Sequence, residues 1–255
     1  MKLYLLAFAT LLLLPLSAMA EDTPVSISVL SNDAKFIGTS MGGMEIIVSD
    51  PVSGDILAKG LTKGSTGDTS VIMTQNRERD VVLHTQGSAR FNTVLDLEKP
   101  RKLKITAYGP AAQPQSAMTL SEERILIPGK DYTQGNGIML RMPGMSVDVL
   151  APAAHTKAKF NPEGDLRLSV NVMKMCGCPV RDKGPWPLER YEVEAHIYKN
   201  GDQLIETVPL SYAGSASLFE GDLTMPAAGT YEIIVTALDP KTKDAGMDTT
   251  TIVLQ

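Results

Sequence analysis

Turn residues interrupt this chain about every ten positions, and that spacing constrains its fold more than any other feature of the sequence. Between the turns, apolar residues alternate with polar ones, as in Val25, Ile27 and Val29 and again from Tyr231 onward. Alternation with a period of two is typical of β-strands that bury one face. Short strands joined by closely spaced turns predict a sandwich of two sheets. We therefore expect an all-β protein.

The predicted strands fall into two groups. The first group comprises strands at 25–29, 45–48, 56–61, 71–74, 80–83, 90–95, 103–108, 125–127, 138–142 and 147–150. The second group includes strands that begin at Leu166, Tyr191 and Tyr231, and Asn200-Gly201 predicts a hairpin turn. Residues 151–162 lack periodicity and contain two prolines, as is typical of a linker. We expect two tandem β-sandwich domains at 21–150 and 163–255, joined by a linker at 151–162.

Two short motifs resemble known modules. Gly229-Thr230-Tyr231, followed by an alternating strand, resembles the penultimate strand of bacterial Ig-like and fibronectin-like modules. The segment from Asp50 to Asp55 resembles the hairpins of transthyretin-like and carboxypeptidase-regulatory-like domains of secreted bacterial proteins. The first resemblance implies an Ig-like second half in which Tyr231 forms a tyrosine corner. Together they imply an extracytoplasmic binding or accessory role, and they carry no catalytic residue to this chain.

The first twenty residues have the pattern of a secretory signal peptide. Lys2 precedes an apolar stretch, and the small residues of Ala18-Met19-Ala20 predict cleavage after Ala20. The apolar stretch is shorter than the roughly 20 residues that a membrane-spanning helix needs. The net charge of −5 becomes −6 when Lys2 is removed, which disfavours nucleic acid and anionic membranes as partners. We expect a periplasmic or secreted protein with no membrane span in its mature form.

The sequence Met173-Lys174-Met175-Cys176-Gly177-Cys178 holds both cysteines of the chain beside two thioethers. If the alternating apolar residues from Leu166 to Val172 face the core, Met173 and Met175 lie on the opposite, solvent-facing side. Thiolates and thioethers together select soft cations, above all Cu(I). The predicted metal ligands are therefore Met173, Met175, Cys176 and Cys178. Either His155 or the group Met139, Met142 and Met145 would complete the site.

Several alternatives to copper remain open at this point. In an oxidising compartment Cys176 and Cys178 can form a disulfide, which would be an inert clip or the active pair of a thiol-disulfide redox partner. Two residues apart on an extended strand, their Cα atoms would lie near the ~7 Å limit for such a bond. Zinc is less suitable, because a closed zinc site needs four nitrogen or sulfur ligands. The methionine pair Met41 and Met44 and the group at 139–145 fit core packing, a thioether site or a methionine-lined protein interface.

The sequence contains no recognisable catalytic motif. It lacks the nucleophile-elbow pattern, a Gly-rich phosphate loop and carboxylates paired at identifiable catalytic positions. We therefore expect a protein that is not an enzyme. The first hypothesis is an accessory protein that binds a soft metal such as copper. The second is a structural or adaptor module of an envelope assembly, whose edge strands accept a strand from a partner protein.

Overall fold

The computed structural model describes residues 20–75, 81–162 and 165–255. These residues contain sixteen β-strands, one short α-helix and three 3-10 turns. The strands are β1 (Glu21–Ser31), β2 (Glu45–Ser49), β3 (Ile56–Leu61), β4 (Phe91–Leu97), β5 (Arg101–Gly109), β6 (Met118–Leu126), β7 (Ile138–Met142), β8 (Met145–Ala151), β9 (Thr156–Ala158), β10 (Asp165–Lys174), β11 (Glu192–Lys199), β12 (Gln203–Pro209), β13 (Ser211–Tyr212), β14 (Leu218–Thr224), β15 (Gly229–Asp239) and β16 (Asp244–Leu254). The helix is α1 (Thr69–Gln75), and the 3-10 turns are Thr39–Met41, Pro114–Ser116 and Leu188–Arg190. The predicted all-β sandwich class is confirmed.

Two sheets are built from the strands that precede residue 143. One has the order β4-β1-β7 and the other the order β3-β2-β5-β6. Alternate residues of β5, namely Leu103, Ile105 and Ala107, are fully buried, as its period-two pattern predicts. The expectation that β1 buries only one face is wrong, because Ser26 and Ser28 are buried as well. In this part of the fold β1 is the central strand of its sheet, antiparallel to β4 and parallel to β7.

The strands after residue 144 form the other two sheets, in the orders β13-β14-β10-β8 and β12-β11-β15-β16-β9. The predicted hairpin joins β11 to β12, and both Asn200 and Gly201 have the positive φ that a tight hairpin requires. Tyr231 is buried, and its hydroxyl donates a hydrogen bond of 2.7 Å to the carbonyl of Ala227. A tyrosine hydroxyl bound to backbone a few residues upstream is a tyrosine corner, so that expectation is confirmed.

One predicted strand is a helix. Residues 71–74 fall within α1, because the Asp68 carboxylate accepts hydrogen bonds of 2.7 and 3.1 Å from the amides of Ser70 and Val71. An aspartate that binds the free amides of the first turn favours a helix over a strand. The strand predicted at 80–83 is absent over 81–83, the part of it that the structure describes. The predicted signal peptide lies outside the described residues, except for Ala20.

Strand pairing near the middle of the chain links the segments on either side of the predicted linker. β8 begins at Met145 and pairs with β10, and β9 lies within 151–162 and pairs with the last strand, β16. The predicted domain limits themselves stay a prediction. Across the described residues, buried apolar side chains from both halves belong to one continuous cluster. Among the residues that the structure describes, no helix is both long and apolar enough to cross a membrane.

Candidate functional site

Cys176 and Cys178 lie in a tight turn that follows β10, which we call the cysteine turn (residues 175–178). The amide of Gly177 donates to the carbonyl of Lys174 at 2.8 Å, and the amide of Lys174 donates to the carbonyl of Cys178 at 3.0 Å. Gly177 has a φ of 75°, a conformation that favours glycine. The two cysteines form a disulfide with their Cα atoms 5.3 Å apart. The expectation of an extended pair near 7 Å is therefore wrong, because the chain reverses at Gly177.

The sulfur atoms of the cysteine turn are not on an open face. Met175 is 0% exposed, Cys176 1% and Cys178 4%, whereas Met173 is half-buried and packs against the core. The predicted exposure of Met175 is wrong because β10 ends at Lys174, so the alternation of the strand no longer decides where the next residue lies. Alternation does hold up to that point, since Leu168, Val170 and Val172 are fully buried. A metal would therefore reach these sulfurs only through a change in the turn.

A methionine that is distant in sequence packs against the cysteine turn. A Cβ atom placed on Gly177 would lie 2.7 Å from the sulfur of Met41, closer than side-chain atoms approach one another. Met41 ends the 3-10 turn Thr39–Met41 and is 5% exposed. Met44, the other methionine of that segment, lies elsewhere, because its sulfur is the nearest atom to the Cβ position of Gly109. The Met-Gly-Gly-Met sequence identified these residues as candidates, but nothing in it placed Met41 beside the cysteines.

Only part of the group Met139, Met142 and Met145 reaches the cysteine turn. Met145 pairs with Lys174 across β8 and β10, which places it beside the start of the turn. Met142 pairs with Ser31 on β1, and Met139 packs against a separate small core around Phe36. These three methionines therefore do not form one thioether site.

His155 lies far from the cysteines. His155 is exposed, and its amide donates to the hydroxyl of Thr251 on β16 at 3.1 Å. Lys174, which precedes the cysteine turn, contacts Asp244 at the start of the same strand. Thr251 lies seven positions after Asp244 along the strand, a distance of about 23 Å. The structure therefore does not bring His155 to the predicted ligands. Within the described ranges, no group of three or more His, Cys, Asp and Glu side chains is placed to hold a metal ion.

A buried ion pair holds the end of β10 next to the cysteine turn. Lys174 is 0% exposed, and its ammonium group lies 3.2 Å from the carboxylate of Asp244. That carboxylate also accepts hydrogen bonds from the side chain of Asn32 at 3.1 Å, the amide of Gly144 at 3.0 Å and the hydroxyl of Thr242 at 2.9 Å. Such bonds satisfy a buried carboxylate that would otherwise be costly to desolvate. They connect β10, β16, the β7–β8 turn and the loop after β1.

A second charged group joins the loop after β1 to the end of β15. The guanidinium of Arg190 contacts Asp33 at 2.6 Å and Asp239 at 2.5 Å. Burial acts to lower the pKa of Arg190, but its bonds to Asp239 and Asp33 outweigh burial and raise it. Burial raises the pKa of Tyr191, the next residue. The indole of Trp186 donates a hydrogen bond of 2.9 Å to the carbonyl of Asp33. This bond fastens the loop that contains Trp186 to the loop that follows β1.

An open apolar pocket of about 570 Å³ lies on the surface, and we call it the methionine pocket. It is lined by Gln115, Ser116, Ala117, Met118, Met145, Thr236, Ala237, Leu238, Ala245, Gly246 and Met247. Two of its three methionines are accessible, since Met118 is 42% and Met247 52% exposed. None of the lining residues carries a charge. A concave surface of this size and composition suits an apolar ligand group.

The two hydroxyl groups of the methionine pocket are already engaged. The hydroxyl of Ser116 donates to the carbonyl of Val147 and accepts from the amide of Val147, each at 3.1 Å. The hydroxyl of Thr236 lies 3.0 Å from the imidazole of His196. Acid–base or nucleophilic catalysis needs a titratable group or a nucleophile with a base positioned at the bound substrate. The pocket lining offers binding surface without such a group.

The comparisons with known proteins find structural neighbours only. No family model matches the chain, and no curated protein matches it. An engineered protein is similar at 16% identity over 51% of this chain, with a TM-score of 0.32, and the chain spans only 24% of it. The fibronectin(III)-like modules of CbhA from Clostridium thermocellum are similar at 11% identity over 83% of this chain and 77% of theirs, with a TM-score of 0.30.

The titin Ig tandem domains A164-A165 are similar at 10% identity over 92% of this chain and 98% of theirs, with a TM-score of 0.25. Fibronectin-like and Ig-like modules, the classes that the second half of the sequence resembles, are thus among the structural neighbours of the chain. At these identities and scores, the likeness carries no argument about function.

Proposed function

We propose that this protein is a non-enzymatic binding module that accepts an extended, uncharged apolar segment of a partner protein. The segment would lie along β6 and place an apolar side chain in the methionine pocket. The observation that supports this most directly is the pocket lining, which is apolar, open and uncharged. Its position at Met118, the first residue of β6, links the pocket to a strand edge.

The edge of β6 is the second element of the proposal. β6 pairs with β5 on one side and is the last strand in the order β3-β2-β5-β6. An edge strand presents backbone donors and acceptors to which another extended chain can add. In such complexes the backbone bonds supply affinity, and side-chain pockets supply specificity. Methionine suits the pocket because its flexible thioether adapts to differently shaped apolar groups.

The proposed place of action is the periplasm or the cell exterior. The sequence pattern of residues 1–20 supports export. The disulfide of the cysteine turn supports it as well, since disulfides persist in oxidising compartments.

Short peptides displayed on phage provide a direct test of the proposed binding. We expect selection on the purified protein to enrich extended apolar sequences that bind it but not the variant Met247→Asp. A carboxylate in an apolar pocket should weaken binding at least about tenfold. The matched control is Leu204→Asp, because Leu204 is also 52% exposed but lies on β12, the edge strand of another sheet.

Hydrogen exchange provides the second measurement for the same peptides. Bound peptide should slow exchange of amides in β6 and leave those of β12 unchanged. The proposal is refuted if no peptide is enriched, if enriched peptides bind Met247→Asp as well as the control, or if protection appears away from β6.

Soft-metal binding, with Cu(I) as the first cation to consider, is a second candidate function. It is favoured by the fact that Cys176 and Cys178 are held one residue apart in one turn, so both thiolates of the reduced protein can bind one ion. Thiolate and thioether ligands suit Cu(I). The test is anaerobic titration of the reduced protein with Cu(I) against the chelator bicinchoninate. Tight binding that is lost in Cys176→Ser/Cys178→Ser would support it, and a reduced wild-type protein that takes no copper from the chelator would contradict it.

A further inference from the structure

We infer that Met41 is a third ligand of the soft-metal site, and that the disulfide between Cys176 and Cys178 gates it. The inference rests on the second candidate function, soft-metal binding by the cysteine turn. It adds a ligand that comes from more than 130 residues earlier in the sequence. It also replaces His155, whose contact Thr251 lies about 23 Å along β16 from Asp244, the partner of Lys174.

The position of Met41 depends on the absence of a side chain at residue 177. Its sulfur lies 2.7 Å, its Cγ 3.1 Å and its Cε 4.0 Å from the Cβ position of Gly177, the residue between the two cysteines. Any other residue at 177 would displace the thioether from the turn. The packing therefore places a third sulfur directly on the loop that carries the other two.

The chain holds both sides of this contact in fixed positions. On one side, the cysteine turn is anchored by the bonds between Lys174 and Cys178 and by a bridge between Met173 and Pro179. On the other, the amide of Met41 donates to the carbonyl of Gly38 at 3.0 Å, and its carbonyl accepts from the amide of Ala112 at 3.0 Å. Preorganised ligands reduce the ordering cost of binding an ion.

The disulfide excludes a metal from this arrangement, because each cysteine sulfur is bonded to the other and neither is a thiolate. Reduction breaks the S–S bond and adds two electrons and two protons, giving two thiols. A dithiol reductant supplies the electrons and becomes a disulfide itself. Binding of Cu(I) then displaces the two thiol protons, the copper stays in its cuprous state, and Met41 donates a sulfur lone pair.

The buried sulfur side chains also determine which cations the reduced site accepts. Met41, Met175, Cys176 and Cys178 are each 5% exposed or less, so a cation that enters meets buried sulfur side chains, which suit hard, strongly hydrated cations poorly. Soft ligands in such a surrounding select Cu(I) over Mg²⁺ or Ca²⁺. We therefore expect the reduced turn to bind Cu(I) and not Mg²⁺ or Ca²⁺.

The test compares Met41→Leu with Met44→Leu. Both residues are buried methionines of one short segment, but the sulfur of Met41 packs on Gly177 of the cysteine turn, whereas that of Met44 packs on Gly109. Each protein is prepared oxidised and, after treatment with tris(2-carboxyethyl)phosphine, reduced, and free thiols are counted in both states. The phosphine takes up oxygen from water as it is oxidised, so no thiol reductant competes for copper. Cu(I) affinity is then measured anaerobically against bicinchoninate, and copper X-ray absorption reports the number of sulfur ligands.

We expect the oxidised wild-type protein to take up no Cu(I) and the reduced protein to bind it tightly with three sulfur ligands. Met41→Leu should weaken binding by about tenfold or more and leave two sulfur ligands, whereas Met44→Leu should match the wild type. Equal affinity and sulfur number in Met41→Leu and the wild type would overturn the role of Met41 while soft-metal binding stands. Uptake of Cu(I) by the oxidised protein would refute the claim that the disulfide controls metal binding. Absence of binding in every reduced protein would refute this inference and the second candidate function together.

Discussion

The stability of this fold should fall between pH 6.5 and pH 4 because His84 must stay uncharged. Its ring stacks on Phe36 with centroids 4.1 Å apart, and the residue is 9% exposed. Burial first, and the nearby charge of Arg90 second, lower the pKa of His84 from 6.5 to about 4, against a contact with Asn136 that raises it. Since each pH unit of that difference is worth 1.36 kcal/mol, the neutral ring contributes up to about 3 kcal/mol.

The sign of the effect follows from the order of protonation. The unfolded chain binds the proton on His84 first as the pH falls, because the pKa of this residue is higher in the unfolded state. The contribution is therefore complete above pH 6.5 and is lost progressively as the pH falls through the folded-state value of about 4.

Urea unfolding from pH 7.5 to 4.5, followed by tyrosine and tryptophan fluorescence, measures this loss in the wild type and in His84→Phe. The variant keeps an aromatic ring against Phe36 but cannot titrate. Subtracting the two stability curves cancels other titrating groups, and the difference should change by about 2.5 kcal/mol over that range. A difference between the two proteins that does not vary with pH would refute the assignment of a buried neutral histidine.

Three further substitutions test the packing around the candidate site by urea unfolding. Gly177→Ala should destabilise the fold by about 1–3 kcal/mol more than Gly201→Ala, because both glycines have positive φ but of the two only Gly177 lacks room for a Cβ. Equal losses of stability would contradict the close contact between Gly177 and Met41. Lys174→Met should cost about 3–5 kcal/mol because it leaves Asp244 buried without its ion partner, and a neutral result would show that water reaches this carboxylate. Tyr231→Phe should cost about 1 kcal/mol through the lost hydrogen bond of the tyrosine corner, and an unchanged urea midpoint would exclude that role.

Strands were predictable where the pattern of a single segment decides the structure. In β10 and β15, alternate residues are buried as their sequences indicate, since side chains of a strand point to opposite faces. The pattern failed where a local hydrogen bond competes with it. Residues 71–74 resemble a strand, but the Asp68 carboxylate binds the first amides of a helix there.

The candidate site was predictable only in its chemistry. The sequence identified the cysteines, Met173 and Met175 as a group, because they are adjacent in the chain. It could not show that β10 ends at Lys174, and that boundary is what buries Met175. Contacts between distant segments, such as Met41 on Gly177, depend on how the sheets pack and leave no periodic signal in a single sequence. The methionine pocket was missed as a site for the same reason, although a methionine-lined interface was among the alternatives.

The methionine pocket and the cysteine turn are fixed relative to each other by buried contacts. Met145 lines the pocket and pairs with Lys174 at the start of the turn. A Cβ atom on Gly246, another lining residue, would lie 2.2 Å from the carbonyl oxygen of Met145, so β8 and β16 meet with no space between them. A substitution at Met145 would therefore disturb both sites, whereas Met247 and Met41 each belong to one. For this reason Met247→Asp and Met41→Leu separate peptide binding from metal binding, and a loss of both activities in either variant would indicate damage to the shared packing instead of a direct role.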